Sequence, residues 1–490
     1  MARTPVAAHV PLTITDDGTP LRHRIATGLI AEIRAGRLQS GDPLPSTRTL
    51  ALQLGVSRGP VVEAFDELVA AGYVIVRPGS GTRVAAGAAT AARAHADPPV
   101  PLPRKPLRRP TPPPAPTEAT RAAPEAPAFD LVPGHPDPGL VSVRDWRRAW
   151  RSAASAPIDA GVPAADGCAE LRNALAHHLR RTRAITAHPD EIVVVPGVSA
   201  AVRALAAAAG LRTHTVAFEN PGYTRARRIL EASGVQVRSV PVDADGLDPR
   251  QVRPSDRAVY CTPAHQYPTG ARMPVTRRTE LVDRCRETAA LVLEDDYDGE
   301  FRYGATPLPA LRSIDGGSDC VAYIGTASKI LTPSIRIAWV LPPPHLLSRL
   351  RDEVDASAER PCAVTALALA QFVTTDALTR HLARAARTYS ARRTAFVDAL
   401  EQVLPPGVGV SGIEAGLHVL LDLPAGTDDR ALADDLARHG VAVPALSAYD
   451  LDRTGTPGLV CGYARLPETS AGDAAGRIAH AVRRHLPVSP

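Results

Sequence analysis

The chain has 490 residues, of which 44% are hydrophobic and 22% charged, and a formal net charge of +5. That length exceeds what one hydrophobic core usually organises, so two or more domains are expected. No apolar run reaches the ~18 residues that a bilayer span needs, the N-terminus carries no secretory apolar stretch, and the six scattered cysteines form no Cys-x-x-Cys. The expectation is a cytoplasmic protein with free thiols, no membrane span, no disulfide framework and no metal.

Charge is unevenly placed. Through Arg109 there are 14 Lys+Arg against 8 Asp+Glu, a net of +6, which leaves 42 against 43, a net of −1, beyond it. An acidic polymer would therefore meet the amino-terminal part.

In that part, Leu21, Ile25, Leu29, Ile30 and Ile33 keep helical spacing, and Gly36 ends the helix. A second helix starts after Ser46, a good N-cap, and runs to Gly55. The Gly55-Val-Ser57 turn leads into a third helix capped by Ser57, with Val61, Phe65, Leu68 and Val69 as its inner face. Two short β runs from Gly72 to Val84, around a Pro-Gly-Ser-Gly turn, make a hairpin wing.

The segment Leu44-Pro-Ser-Thr-Arg-Thr-Leu-Ala-Leu-Gln-Leu-Gly-Val-Ser-Arg-Gly-Pro-Val62 resembles the winged-helix signature of GntR-type bacterial transcription factors, and Gly79-Ser-Gly-Thr82 resembles their wing tip. Gly59-Pro60 departs from the usual polar residue and threonine. Proline in a first helical turn loses no intrahelical bond, so the fold survives. The resemblance implies double-stranded operator DNA as partner, bound by residues 14–85. Ser57 and Arg58 would enter the major groove at the start of the third helix, with Arg48 at base edges or phosphates. On the wing, Arg77, Gly79, Gly81, Thr82 and Arg83 would meet the backbone or minor groove.

Residues 86–127 are Ala, Pro and Arg with few large apolar side chains, which reads as a semi-stiff linker biased to polyproline II. From residue 128 to 490, apolar β runs alternate with helical stretches: Glu191–Val195, Val216–Phe218, Val235–Val242, Ala258–Tyr260, Ala290–Glu294 and Val321–Ile324. This pattern predicts an α/β domain with a buried, mainly parallel sheet in residues 165–345 and a smaller α+β subdomain in 346–490. Ligands of such sheets bind at the carboxyl ends of the strands.

The residues just beyond the runs form an ordered set. Ser199 opens a helix after the first strand, a place where backbone amides cradle phosphate. Tyr223 follows the second. Asp295, Asp296 and Tyr297 stand at the end of another, and Gly325-Thr-Ala-Ser-Lys329 precedes Arg336. Only two lysines occur, Lys105 in the linker and Lys329. Arginine replaces lysine as a surface cation but not as a nucleophilic amine, so Lys329 is a candidate for Schiff-base chemistry with a carbonyl cofactor. Lysine, carboxylate, phenol, stacking aromatic and phosphate clamp are together what pyridoxal 5′-phosphate (PLP) requires.

Residues 128–490 resemble a fold-type I, aspartate aminotransferase-like PLP domain. The whole chain resembles the MocR/GabR subfamily of GntR regulators. The resemblance assigns Lys329 to the Schiff base and Asp295 to the pyridine nitrogen, with Asp296 the alternative if the register differs by one. It assigns Tyr297 to the ring oxygen, Tyr223 to ring stacking, and Thr326, Ser328, Arg336 and Ser199 to the phosphate. Arg225 matches a position that can meet an effector carboxylate. Arg465 is the arginine nearest to where aminotransferases hold the substrate α-carboxylate, although it stands beyond the anticipated step, and Tyr267 replaces their asparagine before Pro-Thr-Gly. A PLP-dependent regulator that senses PLP or an amino-acid-like effector is thus expected, as a homodimer whose linker length permits domain swapping. The alternative is a genuine aminotransferase with an accessory DNA-binding domain.

Overall fold

Apolar residues at helical spacing close a small core around three helices and a hairpin at the amino-terminal end. The computed structural model describes residues 10, 12, 14, 20–70, 73–77, 81–85, 127–157, 161, 164–302, 309–412, 415–452 and 455–486. Linker residues 86–126 and, at the wing tip, Gly79 and Ser80 therefore lie outside the described residues. The chain divides into two compact units, Met1–Arg121 and Ala122–Pro490.

In the first unit, helix α1 spans Leu21–Arg34, α2 Thr47–Leu54 and α3 Arg58–Ala70, and strands β1 (Val74–Arg77) and β2 (Gly81–Val84) pair antiparallel. Ser46 caps α2, its Oγ accepting from the Thr49 amide at 3.1 Å, and Gly55 ends it in the left-handed region at φ +68°. Ile25, Leu29, Ile33, Leu50, Val61, Ala64, Phe65 and Leu68 form the core. One expectation fails here: Val69 is 41% exposed. Positions 61, 64, 65 and 68 complete the i, i+3, i+4, i+7 stripe, and residue 69 has already rotated past it, so Ala64 takes the inner place.

The second unit is built on an eight-stranded sheet in the order β4-β11-β10-β9-β8-β5-β6-β7. Its strands are β4 (Val193–Val195), β5 (Thr215–Asn220), β6 (Gln236–Asp243), β7 (Gly246–Leu247), β8 (Asp256–Cys261), β9 (Leu291–Asp296), β10 (Val321–Thr326) and β11 (Ala338–Leu341). All six runs expected as strands are present. The neighbours β6-β5-β8-β9-β10 run parallel, whereas β11 lies antiparallel to β10 and β4, and β7 to β6. Both faces are covered, and the period-two pleat sends alternate residues to different cores. Val193, Val195, Tyr260, Leu293 and Ile324 pack in one cluster. Val259, Cys261 and Val292 pack in another.

The smaller portion holds the antiparallel sheet β12 (Gly409–Ser411), β13 (His418–Asp422) and β15 (Gly458–Gly462). Helices Ala377–Val403 and Ala471–His485 pack against one another beside it. It also takes in the start of the unit, because β3 (Phe129–Asp130) pairs in parallel with β14 (Val441–Ala442). This pairing brings residues 134–137 back over the large sheet, as the contact between Gly134 and Lys329 shows.

Candidate functional site

The carboxyl ends of β4, β5, β8, β9 and β10 open on a cavity of about 230 Å³. Pro196, Gly197 and Ser199 form one wall where helix Val198–Ala208 begins. The free amides of that helix end attract a phosphate. Tyr223 and Arg225, at the start of helix Thr224–Ala232, line a second wall. The Tyr223 ring meets Tyr267 edge to face, at 5.7 Å and 88°. Burial pushes its phenol up to about 12.

Strand parity decides between the two adjacent acids. Asp295 points to the same face as Leu293 and lines the cavity. It accepts a 2.5 Å hydrogen bond from the Tyr260 hydroxyl, while its Oδ1 is buried without a partner among the described residues. Burial raises its pKa to about 7, against the Tyr260 hydrogen bond. Asp296 faces the opposite side, where it is ion-paired with Arg183 (Nε–Oδ2 2.5 Å) and accepts from the Tyr323 hydroxyl at 2.7 Å. Asp296 is thus committed to the fold. The unsatisfied oxygen of Asp295 suits a protonated ring nitrogen, which would supply both the donor and the compensating charge.

After β10, Thr326 Oγ1 accepts from the Ser328 amide at 3.1 Å and caps the turn Ala327–Ile330. This holds Lys329 over the strand ends. Its Nζ donates to the Gly134 carbonyl at 2.7 Å. Gly134 has φ +74°, and a Cβ there would stand 2.9 Å from that nitrogen, so glycine is required for the approach. Burial lowers the Lys329 pKa, with Asp295 opposing. A lysine that sheds its proton more easily is a better nucleophile. Thr326, Ser328 and Arg336 line the cavity together with Tyr297 and Lys329.

The structure therefore brings Lys329, Asp295, Tyr297, Tyr223, Ser199, Thr326, Ser328, Arg336 and Arg225 around one space. Arg465 is not among the lining residues. It donates to the Pro136 carbonyl at 3.1 Å and pairs with Asp130 at 3.2 Å, behind the Gly134–Pro136 turn. Its charge still reaches the site: after burial, Lys329 and then Arg465 depress the pKa of His135. Sequence reasoning missed Gly134, His135 and Tyr260. Tyr260 was within reach of strand parity, since it stacks on Phe218 at 4.6 Å beneath Asp295. Nothing local signalled the other two. A wider groove of about 1120 Å³, lined by Asp243, Asp245, Asp422, Asp450 and Asp452 among others, contains none of the residues named for the cofactor.

In the first unit, Arg48, Ser57 and Arg58 are exposed at the starts of α2 and α3, and Arg58 Nε donates to Thr47 Oγ1 at 3.3 Å. Gly81 and Thr82 lie on β2. Arg83, partly buried there, donates to the Gly41 carbonyl at 2.9 Å. Arg77 ends β1, and its side chain lies outside the described residues.

A winged helix and a mainly parallel sheet with a lysine, a buried acid and a phosphate-type helix end at its strand ends define a DNA-binding protein joined to an aminotransferase-type domain. Comparison with known proteins agrees. Residues 134–465 match the family model "Aminotransferase class I and II", and residues 21–84 match "Bacterial regulatory proteins, gntR family". The HTH-type pyridoxine biosynthesis transcriptional regulator PdxR of Corynebacterium glutamicum is 34% identical over 450 residues, covering 90% of this chain and 92% of its own. The probable rhizopine catabolism regulatory protein MocR of Rhizobium meliloti is 31% identical, covering 93% of this chain and 92% of its own. Among solved structures, the multiple substrate aminotransferase of Thermococcus profundus superposes with TM-score 0.66 at 25% identity, over 73% of this chain and 91% of that one. The chain belongs to the MocR-type family of HTH transcriptional regulators, in which a GntR-type winged helix is joined to a fold-type I aminotransferase-like domain. Its fold is the PLP-dependent one of class I and II aminotransferases. No helix among the described residues is long and apolar enough to cross a membrane.

Proposed function

We propose that this regulator binds operator DNA as a cytoplasmic homodimer and changes its grip on DNA when PLP, or an amino compound that reacts with it, occupies the Lys329 cavity. The observation that carries the reading is Asp295, whose Oδ1 is buried without a partner among the described residues, lining the same cavity as the lysine of depressed pKa. PLP would bring an electrophilic carbonyl and a ring that accepts electron density. Lys329 would hold it covalently, Asp295 would keep its ring nitrogen protonated, and Tyr223 and Tyr297 would contact the ring and its oxygen. Ser199, Thr326, Ser328 and Arg336 would bind the phosphate. Arg225, exposed where it lines the cavity, would meet an effector carboxylate. The Corynebacterium relative's name ties that protein to pyridoxine biosynthesis, which favours PLP itself as the signal.

An effector acts only through different affinities for the DNA-competent and incompetent arrangements. Electrophoretic shifts and footprints on the protein's own upstream DNA should therefore differ with and without PLP. The Lys329→Ala protein should not respond at PLP concentrations that saturate the parent. If the parent protein binds identically in both conditions, PLP is not the signal, and amines that would approach Arg225 become the compounds to screen.

A further inference from the structure

Helix Val143–Ala154 carries two opposite stripes. Ser142 caps it, its Oγ accepting from the Asp145 amide at 3.2 Å. Trp146, Ala149, Trp150 and Ala153 recur at i, i+3, i+4 and i+7 and form the inner stripe. Both alanines are buried, and Trp146 meets Phe372 edge to face, at 6.2 Å and 72°. Arg144, Arg147, Arg148 and Arg151 repeat the same spacing two positions earlier, about 200° round the helix. All four are exposed. None of their guanidiniums has a hydrogen bond or ion pair among the described residues. Asp145, the only acid of the helix, pairs with Arg380 at 3.5 Å.

Such a face costs the helix stability. Arg144 with Arg148, and Arg147 with Arg151, are like charges at i,i+4, which repel. Arg144 also stands in the first turn, where the helix dipole disfavours a cation. Helix stability alone would place glutamates among them. Nor does the stripe belong to a basic surface at large, because the chain beyond Arg109 carries a net charge of −1. A polyanion relieves the repulsion. Over the ~10 Å of helix axis that the four positions span, one strand of B-DNA presents about three phosphates. Guanidinium stays charged and can bind phosphate bidentately. We propose that this stripe is a second DNA-contacting surface, which holds the phosphate backbone of the duplex outside the bases read by the winged helix. Such contacts add affinity and carry no sequence information. The proposal rests on the DNA-binding part of the reading above and is independent of PLP.

The test is the full-length variant R144Q/R147Q/R148Q/R151Q. Glutamine keeps the helix propensity of arginine and leaves the inner stripe untouched. Titration of the upstream DNA over a salt series should give a plot of log K against log salt that is shallower than the parent's by about 2 to 3, as the loss of three phosphate contacts requires. Lysine at the same four positions keeps the charge and should keep most of the slope. Backbone-cleavage footprints of the glutamine variant should lose protection only outside the winged-helix sites. Exchanging the flanking DNA for another sequence of equal length should leave the affinity unchanged.

Parallel salt slopes for parent and glutamine variant, with unaltered footprints, would overturn the proposal. So would an equal loss of slope on neutralising Arg212, Arg253, Arg257 and Arg349, exposed arginines elsewhere in the unit, because net charge and not contact would then be acting. Thermal unfolding of the glutamine variant should not fall below the parent's, since a repulsion has been removed; a fall would show that the arginines serve the fold. A shift of the DNA-free variant to a smaller species in sedimentation would assign the stripe to a second copy of the chain and overturn the proposal as well. Failure of the parent to prefer its upstream DNA would instead remove the operator reading, and the salt slopes on unrelated duplex would then decide the role of the stripe.

Discussion

The acid at Asp295 carries a cost that the sequence does not reveal. Its carboxyl is buried, with a pKa raised to about 7. A group whose folded pKa lies above its unfolded value of 3.8 favours folding fully only below that value, and loses the contribution as pH rises through about 7. The cofactor-free protein should therefore be penalised at pH 8, and Asp295→Asn should stabilise it there by up to about 4 kcal/mol. The advantage should shrink steadily towards pH 4 and be visible in urea unfolding across that range; equal stability at pH 8 would refute the penalty. The same substitution should weaken PLP binding, because a neutral amide cannot hold the ring nitrogen protonated. Lys329 has the converse signature. Borohydride reduction in the presence of PLP, followed by peptide mapping, should label Lys329 and leave Lys105 unmarked.

At the scale of elements, the winged helix depends on small local devices. The cap from Ser46 satisfies one of the free amides that begin α2, so Ser46→Ala should lower the stability of the amino-terminal unit by about 1 kcal/mol in thermal unfolding. Arg48 and Arg58 stand exposed at the starts of α2 and α3. Replacing either with alanine should weaken operator binding by about 1–3 kcal/mol if it reads a base. Titration of labelled operator measures this, and unchanged affinity in both variants would remove these helix starts from the interface. Strand β9 shows how far local pattern reaches. Its apolar run predicts a buried strand, and the pleat then sends Asp295 and Asp296 to opposite faces. Which face holds a ligand is a property of the sheet and not of the strand.

At the scale of the molecule, the two units have separate cores. Substitutions within one should leave the binding reaction of the other intact, so Arg58→Ala should bind PLP as the parent does. A fragment of residues 1–86 contains the whole small core. It should bind operator with an affinity indifferent to PLP, and any response in that fragment would place the signal outside the Lys329 cavity.

The sequence by itself determined the winged helix, six of the eight large-sheet strands and the uniqueness of Lys329 beyond the linker, because these follow from periodicity, caps and residue chemistry within about ten neighbouring positions. It also named nine of the side chains that share the cavity. Only the tertiary structure decided the rest. Gly134 meets Lys329 across 195 positions, Arg465 is drawn to Asp130 and away from the cavity wall, and His265 meets Asp298 and His418 beneath Tyr297. Such contacts arise from how sheets and subdomains pack, and a local pattern carries no record of which distant backbone will close over a strand end.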